Sequence, residues 1–239
     1  LVAISDYVKE SIVKKYNLPP NNISVINRGI DTEYFNQTLN AGIRDNIINT
    51  HQIDTTKKLI LFPARITSWK GQLEFIDVIK KMNTQNVLIL FVGDTKNESY
   101  TKLVRDKIKK NNLEGVCKIL GSVNQDEMRS LYQVADLSVS FPLRAEGFGR
   151  TISEALYSKT PILAFDYGGV KNQLVNLSDM FKVKPQDYQA LPAKIEKLLS
   201  MSEVQKKEVI KGVQSFIENN FSKINMVNQY LKLYESLKS

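Results

Sequence analysis

Two pairs of residues have the types and spacing to bind a charged, hydroxylated ligand. Arg65 and Lys70 lie in Pro63-Ala-Arg-Ile-Thr-Ser-Trp-Lys-Gly71, a loop that follows an apolar run and opens a helical pattern. Two cations beside a helix N-terminus suit a diphosphate, because the positive side chains and the unpaired N–H groups face the same anion. Glu146 and Glu154 lie in Phe141-Pro-Leu-Arg-Ala-Glu-Gly-Phe-Gly-Arg-Thr-Ile-Ser-Glu-Ala155, with seven residues between them. Gly147 and Gly149 let a ligand approach the backbone and expose amide N–H groups to it. A carboxylate at Glu154 repels phosphate but accepts well from vicinal hydroxyls, so a ribose is the natural partner. Taken singly, Arg65 and Lys70 read as solvated loop charges.

Other chemistries fit less well. Gly147-Phe-Gly149, with Asp166 at the end of the next apolar run, imitates a dinucleotide-binding fingerprint. That fingerprint needs a tight turn straight after the strand and a third glycine for close helix–strand packing. Here residues 141–146 intervene, and Ile152 takes the third glycine position. No Asp-x-Asp metal motif occurs, and the single histidine, His51, sits in a polar stretch over 46–56 that reads as surface. No metal site is expected. Cys117, the only cysteine, reads as a small core residue in a strand.

These residues require a particular scaffold. Short runs rich in Val, Ile, Leu and Phe predict strands at 23–26, 58–62, 87–92, 116–120, 137–140, 161–165 and 180–183. Helical patterns lie between them at 73–81, 100–111, 125–134, 149–158 and 188–199. The alternation predicts an α/β chain, with a parallel sheet covered by helices on both faces. Right-handed crossovers would then gather every strand's C-terminal end on one ligand-binding rim. The tail, 202–237, reads as two helices. One carries Val209, Ile210, Val213, Phe216 and Ile217, and the other Met226, Tyr230, Leu233 and Leu237, for packing onto the sheet or a neighbouring domain.

The bulk numbers agree with a globular chain. Of 239 residues, 42% are hydrophobic and 24% charged, enough to bury a core. No apolar run reaches the roughly 20 residues of a bilayer span. The net charge of +8 suits phosphates, nucleic acid or an anionic membrane without choosing among them.

The motif block resembles glycosyltransferase family 4. Glu146 and Glu154 form its Glu-x7-Glu motif, and around them Ala135-Asp-Leu-Ser-Val-Ser140, Glu146-Gly-Phe-Gly149, Ser153-Glu-Ala-Leu156, Thr160-Pro-Ile-Leu-Ala164 and Gly168-Gly169 are similar to the family's strand–motif–strand block. Ala64-Arg65 with Trp69-Lys-Gly71, then Val92-Gly-Asp94 and Leu120-Gly-Ser-Val123, match upstream. Ile26-Asn-Arg-Gly-Ile-Asp31 with Phe35 looks like the family's interdomain linker, and 3–7 like the last strand and helix of a first domain. The sequence departs from the family at Asn172, where Glu is common, and at Asn27-Arg-Gly29, where Pro-Asn-Gly is usual.

The resemblance implies the C-terminal, donor-binding half of a GT-B fold, with a Rossmann-like sheet. Residues 1–30 would be the tail of the acceptor-binding domain and linker, 31–220 the donor-binding domain, and 221–239 a helix crossing back to a first domain that precedes Leu1. It implies a retaining transfer of a hexose from a nucleotide sugar, UDP-linked, to a glycan or lipid-linked acceptor in lipopolysaccharide or capsule synthesis. No cofactor or metal is implied. The location would be the cytoplasm or the inner face of a membrane.

Residue by residue, it implies that Arg65 and Lys70 hold the diphosphate and that Glu154 binds the ribose. Glu146 would face the transferred sugar. Gly147, Phe148 and Gly149 would offer backbone amides, Gly93 would line the donor site, and Ser122 and Val123 would present backbone to the base. Glu146, Arg65 and Lys70 are the expected catalytic groups. The family's reaction implies front-face attack, with the leaving phosphate as base. Two other functions remain readable at this point. One is a sugar-nucleotide epimerase of the same fold, which needs no Glu-x7-Glu. The other is a basic nucleic-acid-binding module, for which no recognised motif or aromatic-lined basic run is present.

Overall fold

A computed structural model describes residues 1–37 and 40–237. Six parallel strands make the central sheet: β3 (Lys58–Pro63), β4 (Val87–Val92), β5 (Cys117–Gly121), β6 (Leu137–Ser140), β7 (Ile162–Phe165) and β8 (Lys182–Val183). Their order is β5-β4-β3-β6-β7-β8. The strands are continuously apolar because both faces are covered: every residue of β4, β6 and β7 is buried. A shorter parallel pair, β1 (Val2–Ala3) and β2 (Ser24–Val25), forms its own two-stranded sheet.

The helices are α1 (Asp6–Tyr16), α2 (Thr32–Asn36), α3 (Ala41–Thr50), α4 (Gln72–Ile79), α5 (Glu98–Lys110), α6 (Gln125–Val134), α7 (Arg150–Tyr157), α8 (Lys171–Leu174), α9 (Leu191–Leu199), α10 (Glu203–Phe221) and α11 (Lys223–Ser236). Most begin at a side chain that accepts a first-turn N–H, as Ser5, Asp31, Asn97, Asn124 and Ser202 do. Under the rim of the sheet an aromatic layer joins the strands. Phe141 meets Phe62, Phe75 and Phe165 at ring-centroid distances of 6.4, 5.3 and 5.1 Å.

At the opposite end, α10 is tied to the sheet by a buried cation. Lys206, 7% exposed at its side chain, contacts Asp136 Oδ1 at 3.0 Å and Glu203 at 2.9 Å. Asp136 also accepts from Lys58 Nζ at 2.9 Å and from the Leu59 N–H at 3.0 Å. The α10–α11 junction returns to the start of the chain. Ile30 and Ser222 form a parallel bridge, and the Lys223 N–H donates to the Ile30 carbonyl at 2.7 Å.

The predicted α/β sheet is present, with four differences in detail. The strand expected at 23–26 is only β2 and pairs with β1 outside the main sheet. The strand expected at 180–183 begins as a 3-10 turn over Asp179–Phe181, so only two residues pair. The stretch 46–56, read as polar surface, contains the end of α3. His51 is that helix's C-cap, and its carbonyl accepts from Lys118 Nζ at 3.1 Å. On α11, Met226, Tyr230 and Leu233 are half-buried, but Leu237 is exposed, and a second stripe of Ile224, Val227, Leu231 and Tyr234 faces outward.

Candidate functional site

The direction in which strands are added to the sheet reverses between β3 and β6. From β3 the sheet grows one way through β4 and β5, and from β6 the other way through β7 and β8. At such a switch point the crossovers leave toward opposite faces of the sheet, and ligands bind in the crevice outside the strands' C-terminal ends. Arg65 follows β3, and Glu146 follows β6.

The two loops are locked to each other. The Leu143 N–H donates to the Trp69 carbonyl at 2.8 Å. Gly71 adopts φ +87°, and a Cβ there would lie 2.2 Å from the Phe141 carbonyl oxygen, so only glycine lets the loops meet this closely. Gln72 is buried and donates to the Arg65 carbonyl at 2.8 Å, leaving the Arg65 side chain exposed.

Across this seam Lys70 Nζ lies 2.6 Å from Glu146 Oε1, with side chains only 15% and 13% exposed. The same ammonium sits 4.3 Å from the Trp69 ring centroid. Helices α4 and α7 start at the crevice after Gly71 and Gly149. Neither has an N-cap side chain on its first turn, although the Ser153 N–H in the first turn of α7 donates to Gln173.

A cavity of about 480 Å³ opens beside α7, lined by Phe35, Val123, Asn124, Met128, Arg150 and Glu154, among others. Glu154 is nearly buried in its wall. Arg150 Nη2 donates to Glu154 Oε1 at 3.0 Å, and the Tyr132 hydroxyl donates to Oε2 at 3.1 Å. Of the residues predicted for a base, Val123 lines this cavity and Ser122 is exposed beside it in sequence. Gly93 lies at the end of β4, and its N–H donates to the Gly121 carbonyl at 2.9 Å.

The glycine loop is held from behind. The Gly147 carbonyl accepts from Ser5 Oγ at 2.5 Å, and the Glu146 carbonyl accepts from the Gly169 N–H at 2.9 Å. Phe148 turns inward, its ring 5.6 Å from that of Phe221. Buried Gln173 donates to the carbonyls of Phe148 and Gly149 and accepts from the N–H and hydroxyl of Ser153. Asn172 donates to Asp6 Oδ2 at 2.6 Å, so its amide is committed to α1.

The structure thus brings Lys70 and Glu146 into contact and sets Glu154 with Val123 around one cavity. Sequence reasoning missed Tyr132 and Gln173, and named Trp69 and Phe35 as motif landmarks without a role in the site. Gln173 and Tyr132 carry no spacing signal, because each reaches its partner across the fold. Asp31, the α2 N-cap, was a local signal for the short helix that carries Phe35. Among the described residues, no three His, Cys, Asp or Glu side chains gather as a metal site. No described helix is long and apolar enough to cross a membrane. A cavity of about 670 Å³ around Asp136, Pro161 and Lys206 lies at the strands' N-terminal ends, away from the crevice.

A family model described as "Glycosyl transferases group 1" matches residues 43–214. A solved glycosyltransferase from Rickettsia africae ESF-5 superposes with a TM-score of 0.92 at 27% identity, over 100% of this chain and 63% of that one. Anabaena Alr3699/HepE, solved with UDP and glucose, superposes with a TM-score of 0.85 at 22% identity, over 98% of this chain and 62% of that one. The capsular polysaccharide biosynthesis glycosyltransferase CapM of Staphylococcus aureus is 26% identical over 234 residues, 93% of this chain and 57% of CapM. The chain spans about half the length of the curated relatives it matches.

Proposed function

The chain belongs to the group 1 glycosyl transferases, and from that premise we propose that it forms the donor side of a retaining hexosyltransferase that uses a UDP-sugar. The carrying observation is the Lys70–Glu146 pair at the switch-point crevice, flanked by the uncapped starts of α4 and α7. Lys70 and Arg65 take the diphosphate, and the amides of Gly147, Phe148 and Gly149 add N–H donors to it and to the sugar. Glu154 holds the ribose, with the base against Ser122 and Val123 and the donor running past Gly93. Glu146 faces the transferred hexose.

Departure of the diphosphate builds negative charge on its oxygens, which Arg65, Lys70 and the helix starts stabilise without a bound metal. The sugar becomes oxocarbenium-like, and Glu146 stabilises that positive charge. Attack from the same face, with the leaving phosphate taking the acceptor proton, retains the configuration. The acceptor, a glycan or lipid-linked sugar of a surface polysaccharide, enters from a domain preceding Leu1. The HepE complex supports the UDP reading, and the likeness to CapM supports the polysaccharide reading.

Calorimetry of this chain with UDP, GDP and ADP tests the donor assignment. UDP should bind at millimolar concentration or below and keep its affinity in the presence of EDTA. Failure of all three to bind would overturn the reading.

A further inference from the structure

We infer that Tyr132 is a positioning residue for nucleoside recognition, with its hydroxyl fixing the plane of the Glu154 carboxylate against the ribose; this rests on the reading of Glu154 proposed above. Helix α6 serves the cavity twice. Its start contributes Gln125 and Met128 to the lining, with the cap Asn124 beside them. Two turns later Tyr132, fully buried, donates its hydroxyl to Glu154 Oε2 at 3.1 Å.

Tyr132 cannot swing away. Its ring packs edge-on against Phe35 at 6.4 Å between centroids, and its carbonyl accepts from Thr160 Oγ1. Phe35 lines the same cavity, so the ring that holds Tyr132 also faces the ligand space. Arg150 binds the other carboxylate oxygen from the solvent side at 3.0 Å, and its side chain is half exposed. Each oxygen has two acceptor positions, so one remains on each for a vicinal diol. Bidentate recognition of neighbouring hydroxyls needs that plane held still, and among the described residues Tyr132 is the one that holds it from inside the protein. Burial first, then the adjacent Glu154 charge, raises the phenol well above its ordinary 10, so it stays a donor at every working pH.

The experiment is nucleotide binding by calorimetry, comparing UDP, GDP and ADP with their 2′,3′-dideoxy forms. The ratio of dideoxy to ribose Kd is the readout, because general damage to the fold weakens both forms alike. Wild-type protein should favour the ribose form. Tyr132→Phe should weaken the ribose nucleotide by roughly ten-fold, the scale of a hydrogen bond to a charged group, and leave the dideoxy form nearly unchanged. In a Glu154→Gln background, Tyr132→Phe should have no further effect on the ratio. An unchanged ratio in Tyr132→Phe, or equal weakening of both forms, would overturn the positioning role while leaving the Glu154 reading intact. A wild-type protein indifferent to the ribose hydroxyls would overturn that reading, and this inference with it.

Discussion

At Lys70 one ammonium already has two partners, Glu146 at 2.6 Å and the Trp69 ring at 4.3 Å. A diphosphate arriving there must share that ammonium with the carboxylate or displace it. Lys70→Ala is therefore expected to weaken UDP binding by about 1.5–3 kcal/mol, the range for a charge-assisted hydrogen bond, and to leave uridine binding nearly unchanged. Calorimetry with the two ligands checks this, and equal losses would mean that Lys70 acts structurally. Glu146→Gln, placed in a protein that also carries the first domain proposed above, should lower the transfer rate and largely keep donor affinity. Steady-state kinetics would separate the two, since a loss confined to KM would make Glu146 a binding group only. Glu146, Glu154, Arg65 and Lys70 could be singled out as candidates because their motif is local. Tyr132 and Gln173 could not, because a buried polar residue announces its partner only when distant segments meet.

Elements divide in the same way. The strands β3, β4 and β6 were plain in sequence, because burial on both faces leaves an uninterrupted apolar run. β2 and β8 were overread, since each apolar stretch pairs over only two residues. Helices α2 and α3 were missed because their apolar faces are narrow and their caps, Asp31 and Asn40, were the only strong signals. The element contacts make two predictions. Gly71→Ala forces a side chain into φ +87° and against the Phe141 carbonyl. It should cost about 1–3 kcal/mol, or separate the two crevice loops and weaken UDP binding. Denaturant melts and calorimetry together detect either outcome.

The second element prediction concerns α10 and pH. Burial pushes Asp136 up, but hydrogen bonds from Lys58, the Leu59 N–H and Lys206 outweigh it and hold the carboxyl below its usual range. Burial pulls Lys206 down, but Glu203 and Asp136 outweigh it and hold the ammonium above its usual range. The Asp136 contribution is present above its unfolded value of about 3.9 and is lost as pH falls through the lower folded value. The Lys206 contribution is present below about 10.4 and is lost as pH rises through the higher folded value. Lys206→Met should therefore destabilise the chain by about 1–3 kcal/mol at pH 7. The gap to wild type should narrow below pH 4, as guanidinium melts across pH 3–7 would show. A gap that does not change with pH would mean that α10 is held by its apolar face alone.

For the molecule as a whole, the reading proposed above makes this chain the donor wall of a crevice between two domains. Transfer needs the acceptor hydroxyl held in line with the donor, an advantage worth many kcal/mol when a cleft supplies it. This chain alone is expected to bind donor without transferring sugar. Turnover assayed beside a version that carries the proposed first domain checks that, and equal transfer by both would sink the two-domain reading. The strand order has a further consequence, for synthesis on the ribosome. The first strand of the main sheet to emerge, β3, is central, and β4 and β5 follow on one side of it. Residues 58–121 can thus form a three-stranded sheet before β6 is made. Until then the other edge of β3, Leu-Ile-Leu-Phe within Lys58–Pro63, stands unpaired and apolar. An exposed edge of this kind recruits foreign strands, so the interval between translating β5 and β6 is when the nascent chain most needs a chaperone.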